Sequence, residues 1–115
     1  MAQETDLRAI AKIRRLMQTF RSSIDENAPV QVVQTFLLVC ENEGKGVAEL
    51  ADLGSATRTT MSRHLLNLSE RLRNGSDGYQ LLKRVTDPSD MRAVSYILTN
   101  KGKALRNSLI ELMEE

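Results

Sequence analysis

The succession of apolar periods along these 115 residues predicts a mainly α (α+β) fold, a winged helix-turn-helix with a two-stranded β-wing and an added helix at each end. Two stretches carry that expectation. VAELADLGSATRTTMSRHLLNLSERL reads as a short helix, a tight turn and a second helix rich in hydroxyls and arginines. YQLLKRVTDPSDMRAVSYILTNKGKAL reads as two strands around a turn, followed by a last helix. The third observation is where the charge lies. Residues 1–53 hold 6 Lys and Arg against 8 Asp and Glu, residues 54–106 hold 10 against 4, and residues 107–115 add three more acids. The overall charge of +1 therefore hides a basic segment of net +6 on the helix-and-hairpin half.

Residues 4–24 predict an amphipathic helix, with Leu7, Ile10, Ile13, Met17, Phe20 and Ile24 at steps of three and four. Pro29 is expected as the first residue of a second helix, 29–42, because its missing N–H is harmless there. Val32, Val33, Phe36, Leu37, Val39 and Cys40 give that helix a broad apolar face. A third, short helix covers 47–53, with Val47, Leu50, Ala51 and Leu53 inward, and Leu53-Gly54 makes the turn. Thr57 is expected to cap a fourth helix running to about Arg73, accepting from the N–H of Thr60. Met61, Leu65, Leu68 and Leu72 form its buried seam.

Strands are expected at 79–85 and 93–98, flanking Asp87-Pro88-Ser89-Asp90. Thr99 caps a final helix, 100–114, with Ala104, Leu105, Leu109, Leu112 and Met113 inward. One domain is expected over 1–115. Residues 4–24 and 100–114 serve as dimerisation helices, 29–98 as a DNA-binding lobe and 79–98 as its wing.

The hydroxyls and cations near the start of the fourth helix suit a DNA major groove. Arg58, Thr59, Thr60, Ser62 and Arg63 lie off the apolar seam, where Arg can grip guanine bidentately and Ser or Thr can bond base edges or phosphates. Thr57 opens the helix, whose free N–H groups favour phosphate. In the hairpin, Lys83, Arg84 and Arg92 are the cations, and Asp90 stands two residues before Arg92, close enough to orient its guanidinium. An oriented Arg at a hairpin tip suits the narrow, strongly negative minor groove of A·T-rich DNA. Arg73 adds a phosphate contact at the end of the fourth helix.

Other classes find little support. No apolar run reaches the roughly 18 residues of a bilayer span, and MAQETDLRAI is too polar for a signal peptide, so a cytoplasmic protein without membrane contact is expected. A single His64 and a single Cys40 make no metal site, and no cofactor motif or catalytic set is present. Cys40, on an apolar face, is expected to behave as a small hydrophobe, with oxidation sensing as the alternative.

These residues together resemble the MarR family of winged-helix transcriptional regulators over about residues 5–115. The wing-and-return stretch is similar to the family pattern of a basic strand, Asp-Pro, Asp-x-Arg and Leu-Thr-x-x-Gly, here Arg84, Asp87, Pro88, Asp90, Arg92, Leu98, Thr99 and Gly102. TMSRHLLNL resembles the family's recognition helix, with Thr60, Ser62 and Arg63 at the groove-facing places. The resemblance implies an obligate homodimer of first and last helices, a pseudo-palindromic operator and Arg92 in the minor groove. It also raises a small-molecule effector, here unknown, for which both outer helices are short.

The expected function is a sequence-specific double-stranded DNA-binding regulator and not an enzyme, most simply a homodimeric repressor. The alternative is a winged-helix module that binds protein. Ile10, Ile13, Met17 and Phe20 of the first helix, with Leu105, Leu109 and Leu112 of the last, are the expected dimer contacts.

Overall fold

The computed structural model describes residues 3–70 and 75–115. In chain order the elements are α1 (Glu4–Ser23), α2 (Val30–Glu41), α3 (Val47–Leu53), α4 (Arg58–Ser69), β1 (Leu82–Asp87), β2 (Asp90–Leu98) and α5 (Asn100–Glu114). The two strands pair antiparallel, from Leu82 opposite Leu98 to Thr86 opposite Val94. This is the winged helix-turn-helix that the apolar periods predict.

Its core lies where α2, α3 and α4 meet the root of the hairpin. Phe36, Val39, Leu50, Leu65, Leu68 and Leu81 are fully buried there. Each such side chain contributes roughly 1.5–3 kcal/mol of burial. The caps form as expected. Thr57 Oγ1 accepts from the N–H of Thr60 at 3.1 Å and starts α4; a cap of this kind is worth about 1 kcal/mol. Thr99 Oγ1 accepts from the N–H of Gly102 at 3.0 Å and donates to the Gln80 carbonyl at 2.7 Å. One hydroxyl thus starts α5 and ties it to the chain entering the wing.

The turn after α3 falls at Gly54, the C-cap of that helix, as expected. Its left-handed residue is Ser55, at φ 52°, and not Gly54, at φ −90°. Gly54 is needed for closeness instead. A Cβ there would lie 3.1 Å from the Met61 methyl and 3.2 Å from both a Leu38 methyl and the Leu50 carbonyl oxygen.

Several expected boundaries and faces move. Pro29 stands just outside α2 as its N-cap, in extended backbone. Leu53 is 53% exposed and not inward, because the helix ends at it and turns away from the core. In α5, Ala104 and Met113 face outward and Leu112 is half-buried. The continuation of α4 to Leu72 and Arg73 lies outside the described residues.

The first strand begins at Leu82, not residue 79, for a reason of hydrogen bonding. The N–H groups of Gly78, Tyr79 and Leu81 bond the carbonyls of Glu70, Asn67 and Leu68 at 2.7–2.9 Å. Those carbonyls lie in the last turn and C-cap of α4, so residues 78–81 dock on the end of the helix before the ladder can start. The second strand begins at Asp90, three residues earlier than expected. The loop ahead of α3 is also stitched to it. Gly44 N–H donates to the Tyr96 carbonyl at 2.9 Å, and Tyr96 N–H donates to that of Lys45 at 3.1 Å.

The outer helices run antiparallel. Lys12 Nζ reaches the Glu115 backbone oxygen at 2.7 Å, Arg15 pairs with the Glu115 carboxylate at 2.7 Å, and Leu16 and Phe20 join Leu105 and Leu109 in the core. Residues 4–10 of α1 are exposed throughout. The molecule is 56 Å long against 27 and 26 Å across.

Candidate nucleic-acid interface

Helix α4 buries Met61, Leu65, Leu68 and Ser69. At 100° per residue that leaves Thr59, Ser62, Arg63 and Leu66 on the outer side. Arg58, Thr59, Ser62, Arg63 and Leu66 line one open groove, with Val47 of α3 as its far wall. A second cleft runs from α3 to the wing and is lined by Val47, Ala48, Glu49, Arg58, Pro88, Arg92 and Ala93, among others. Val47 and Arg58 border both. The two open clefts therefore adjoin at Val47 and Arg58, the first holding Arg58, Thr59, Ser62 and Arg63 and the second Arg58 and Arg92. Thr60 turns to the other flank, toward a small cleft shared with Gln31, Thr35, Gly54 and His64.

The wing tip is built by two aspartates. Asp87 Oδ1 accepts from the N–H and hydroxyl of Ser89 at 2.8 and 2.7 Å, and these bonds hold its carboxyl below the usual carboxylate range. Across the turn Asp87 faces Asp90, while the next pair is Thr86 with Val94, so three residues of β2, 91–93, bulge from the ladder. Bulges re-aim side chains, and Arg92 is 94% exposed at the crest. Asp90 acts on Arg92 mainly through the backbone. Its Oδ1 accepts from Arg92 N–H at 3.0 Å, whereas Arg92 Nε is 3.5 Å away. So exposed a pair is worth under about 1 kcal/mol; the carboxylate shapes the bulge and also pairs with the guanidinium.

Lys83 and Arg84 are both exposed, but adjacent strand positions point to opposite faces, so the two do not project together. Neither lines the wing cleft. Arg73 lies outside the described residues. Lys45 and Glu49 were not singled out from the sequence. Glu49 brings a carboxylate into the wing cleft, partly neutralised by Lys45 at 3.4 Å; their four-residue spacing on a helix start was the available signal.

His64 sits half-buried against α2, its Nδ1 3.4 Å from Thr35 Oγ1. Burial, with the charge of Arg63 in second place, lowers its pKa, so it is neutral at pH 7. Cys40 is half-buried, and burial pushes its thiol up to about 11 against the opposing pull of Arg106. Little thiolate exists at neutral pH. Iodoacetamide at pH 7.5 is expected to label native Cys40 on the order of a hundredfold more slowly than the urea-unfolded chain; equal rates would mark it as a reactive, accessible thiol. Among the described residues no group of three His, Cys, Asp or Glu could hold a metal, and no helix is long and apolar enough to cross a membrane.

The expected dimer contacts divide into a buried set and an exposed set, with Leu112 half-buried between them. Phe20, Leu105 and Leu109 are taken by the chain's own core. Ile10, Ile13 and Met17 are exposed on α1, joined by Leu7 and by Ile110 and Met113 of α5, which the sequence reading did not assign to a dimer.

No family model and no curated protein matches the chain. Solved structures do. RV1404 from Mycobacterium tuberculosis is similar at TM-score 0.69 and 20% identity, over 97% of this chain and 76% of that one. Streptococcus pneumoniae FabT, solved in complex with DNA, gives 0.66 and 18% over 96% and 71%. A MarR family transcription regulator gives 0.59 and 22% over 91% and 68%. The chain thus has the winged-helix fold of MarR-family transcription regulators.

Proposed function

We propose, from that fold as premise, that this protein is a sequence-specific double-stranded DNA-binding transcriptional regulator, acting in the cytoplasm as a homodimer that represses by occupying a pseudo-palindromic operator. The observation that carries the reading is the pair of adjoining clefts from the start of α4 to the wing tip, on the basic half of the chain. In this reading Thr59, Ser62 and Arg63 meet base edges in the major groove. Thr57 and Arg58 hold phosphates at its rim. Arg92, on its Asp90-shaped bulge, enters the adjacent minor groove. The exposed stripe of α1 and α5 pairs two copies, so that two recognition helices reach successive major grooves about 34–36 Å apart. The DNA-bound FabT shows that the same fold binds DNA in another protein.

The test is selection of duplexes from a random pool, followed by titration of Arg92→Ala on the selected operator. Losing one charge-assisted contact of roughly 1.5–3 kcal/mol should weaken binding about tenfold or more. The slope of log affinity against log salt should become shallower by about 1. Because Arg92 is almost wholly exposed, melting should not move. Undiminished operator affinity would remove the wing from the interface, and a pool yielding no duplex would favour the protein-binding alternative.

A further inference from the structure

Leu66 is an apolar side chain on a polar reading face. Thr59, Ser62, Arg63 and Leu66 stand at i, i+3, i+4 and i+7, which places them on one side of α4. The first three offer hydroxyls or a guanidinium. Leu66 offers hydrocarbon only and is 42% exposed. It is not needed inward, where Met61, Leu65 and Leu68 already fill the seam. Val47, on the far wall, is the other aliphatic side chain lining the same groove.

The major groove of unmodified DNA presents hydrogen-bonding groups almost everywhere and one kind of hydrocarbon, the 5-methyl of thymine. Four residues of helix separate Leu66 from Ser62, about 6 Å along the axis. That is close to the rise of two base pairs, so Leu66 reaches a base beyond the one Ser62 touches. We propose that Leu66 packs on the 5-methyl group of a thymine in each operator half-site, about two base pairs from the base read by Ser62, and so specifies thymine there. The inference rests on the DNA-binding reading above and adds a base identity to it.

The experiment uses the full chain and the operator recovered from the random pool. Each thymine of one half-site is replaced in turn by deoxyuridine, which removes only the methyl. At one position the parent should lose roughly fourfold in affinity, as expected for re-exposing one buried methyl group. Leu66→Ala should bind the thymine and uracil duplexes equally, and Leu66→Met, which keeps the hydrocarbon, should still distinguish them. Because Leu66 is on the surface, all three proteins should melt alike. The proposal is overturned if no uracil substitution weakens the parent, or if the weakening is unchanged in Leu66→Ala. Both of those results leave DNA binding standing; failure of the parent to retain any duplex would remove that reading and this one together.

Discussion

Ile10→Glu combined with Ile13→Glu is expected to give a folded monomer with operator affinity at least about a hundredfold below the parent, the scale at which linked half-sites exceed single ones. Ile10 and Ile13 are 62% and 50% exposed, on a stripe of α1 that continues through Met17, and Ile110 and Met113 of α5 are exposed as well. Nothing in the chain's own core depends on them. That core takes Leu16 and Phe20 from α1, one and two turns further along. The substitutions should therefore spare the fold while placing two carboxylates in an apolar contact, where desolvating a charge costs far more than the stripe returns. Light scattering reports the oligomer and operator titration the affinity. A dimer surviving both glutamates, or a parent already monomeric at micromolar concentration, would remove the paired half-site arrangement.

Gly102→Ala should unfold the protein about 10–20 °C earlier than the parent, corresponding to a loss of about 3 kcal/mol. The ordinary expectation has the opposite sign, since alanine is better than glycine in a helix by about 1 kcal/mol. Geometry reverses it. A Cβ at Gly102 would run into the backbone carbonyl oxygen of Leu81 and approach its carbonyl carbon to 3.1 Å. That carbonyl cannot step aside, because it accepts from the N–H of Thr99 at 3.0 Å while Leu81 N–H is bonded to α4 at 2.8 Å. Lys103→Ala, exposed one residue on, is the control and should change stability by less than about 0.5 kcal/mol. Equal melting of Gly102→Ala and parent would mean that α5 does not pack this closely on the chain entering the wing.

The same contact explains the Leu98-Thr99-x-x-Gly102 pattern: the threonine caps α5 and anchors Gln80, and the glycine lets the first turn lie on Leu81. Features of this local kind were legible in the sequence. Helices 47–53 and 100–114, both threonine caps and the aspartate-rich wing turn are dictated by neighbours three or four residues away. What was not legible depends on partners far along the chain. Residues 79–81 have strand-like composition, yet they serve the carbonyls ending α4. Tyr96 accepts a second partner from the loop before α3, which no alternation signals. Amphipathic stripes on α1 and α5 were visible, but not which of their turns the chain itself would cover. Hence Phe20, Leu105 and Leu109 went to the core and Ile110 and Met113 to the surface. For the interface, the residue types on α4 and the Asp-x-Arg of the wing were readable. The joining of the two surfaces through Val47 and Arg58 required coordinates.

The bonds between Tyr96 and residues 44 and 45 give the molecule the character of a fixed caliper. They fasten the root of the strand that carries the wing to the segment that launches α3, which resists independent movement of the two jaws. In the proposed reading, each base pair added between the sites contacted by α4 and by Arg92 would shift one by about 3.4 Å and roughly 35° relative to the other. A jointed wing could absorb that step; this one would have to release one jaw.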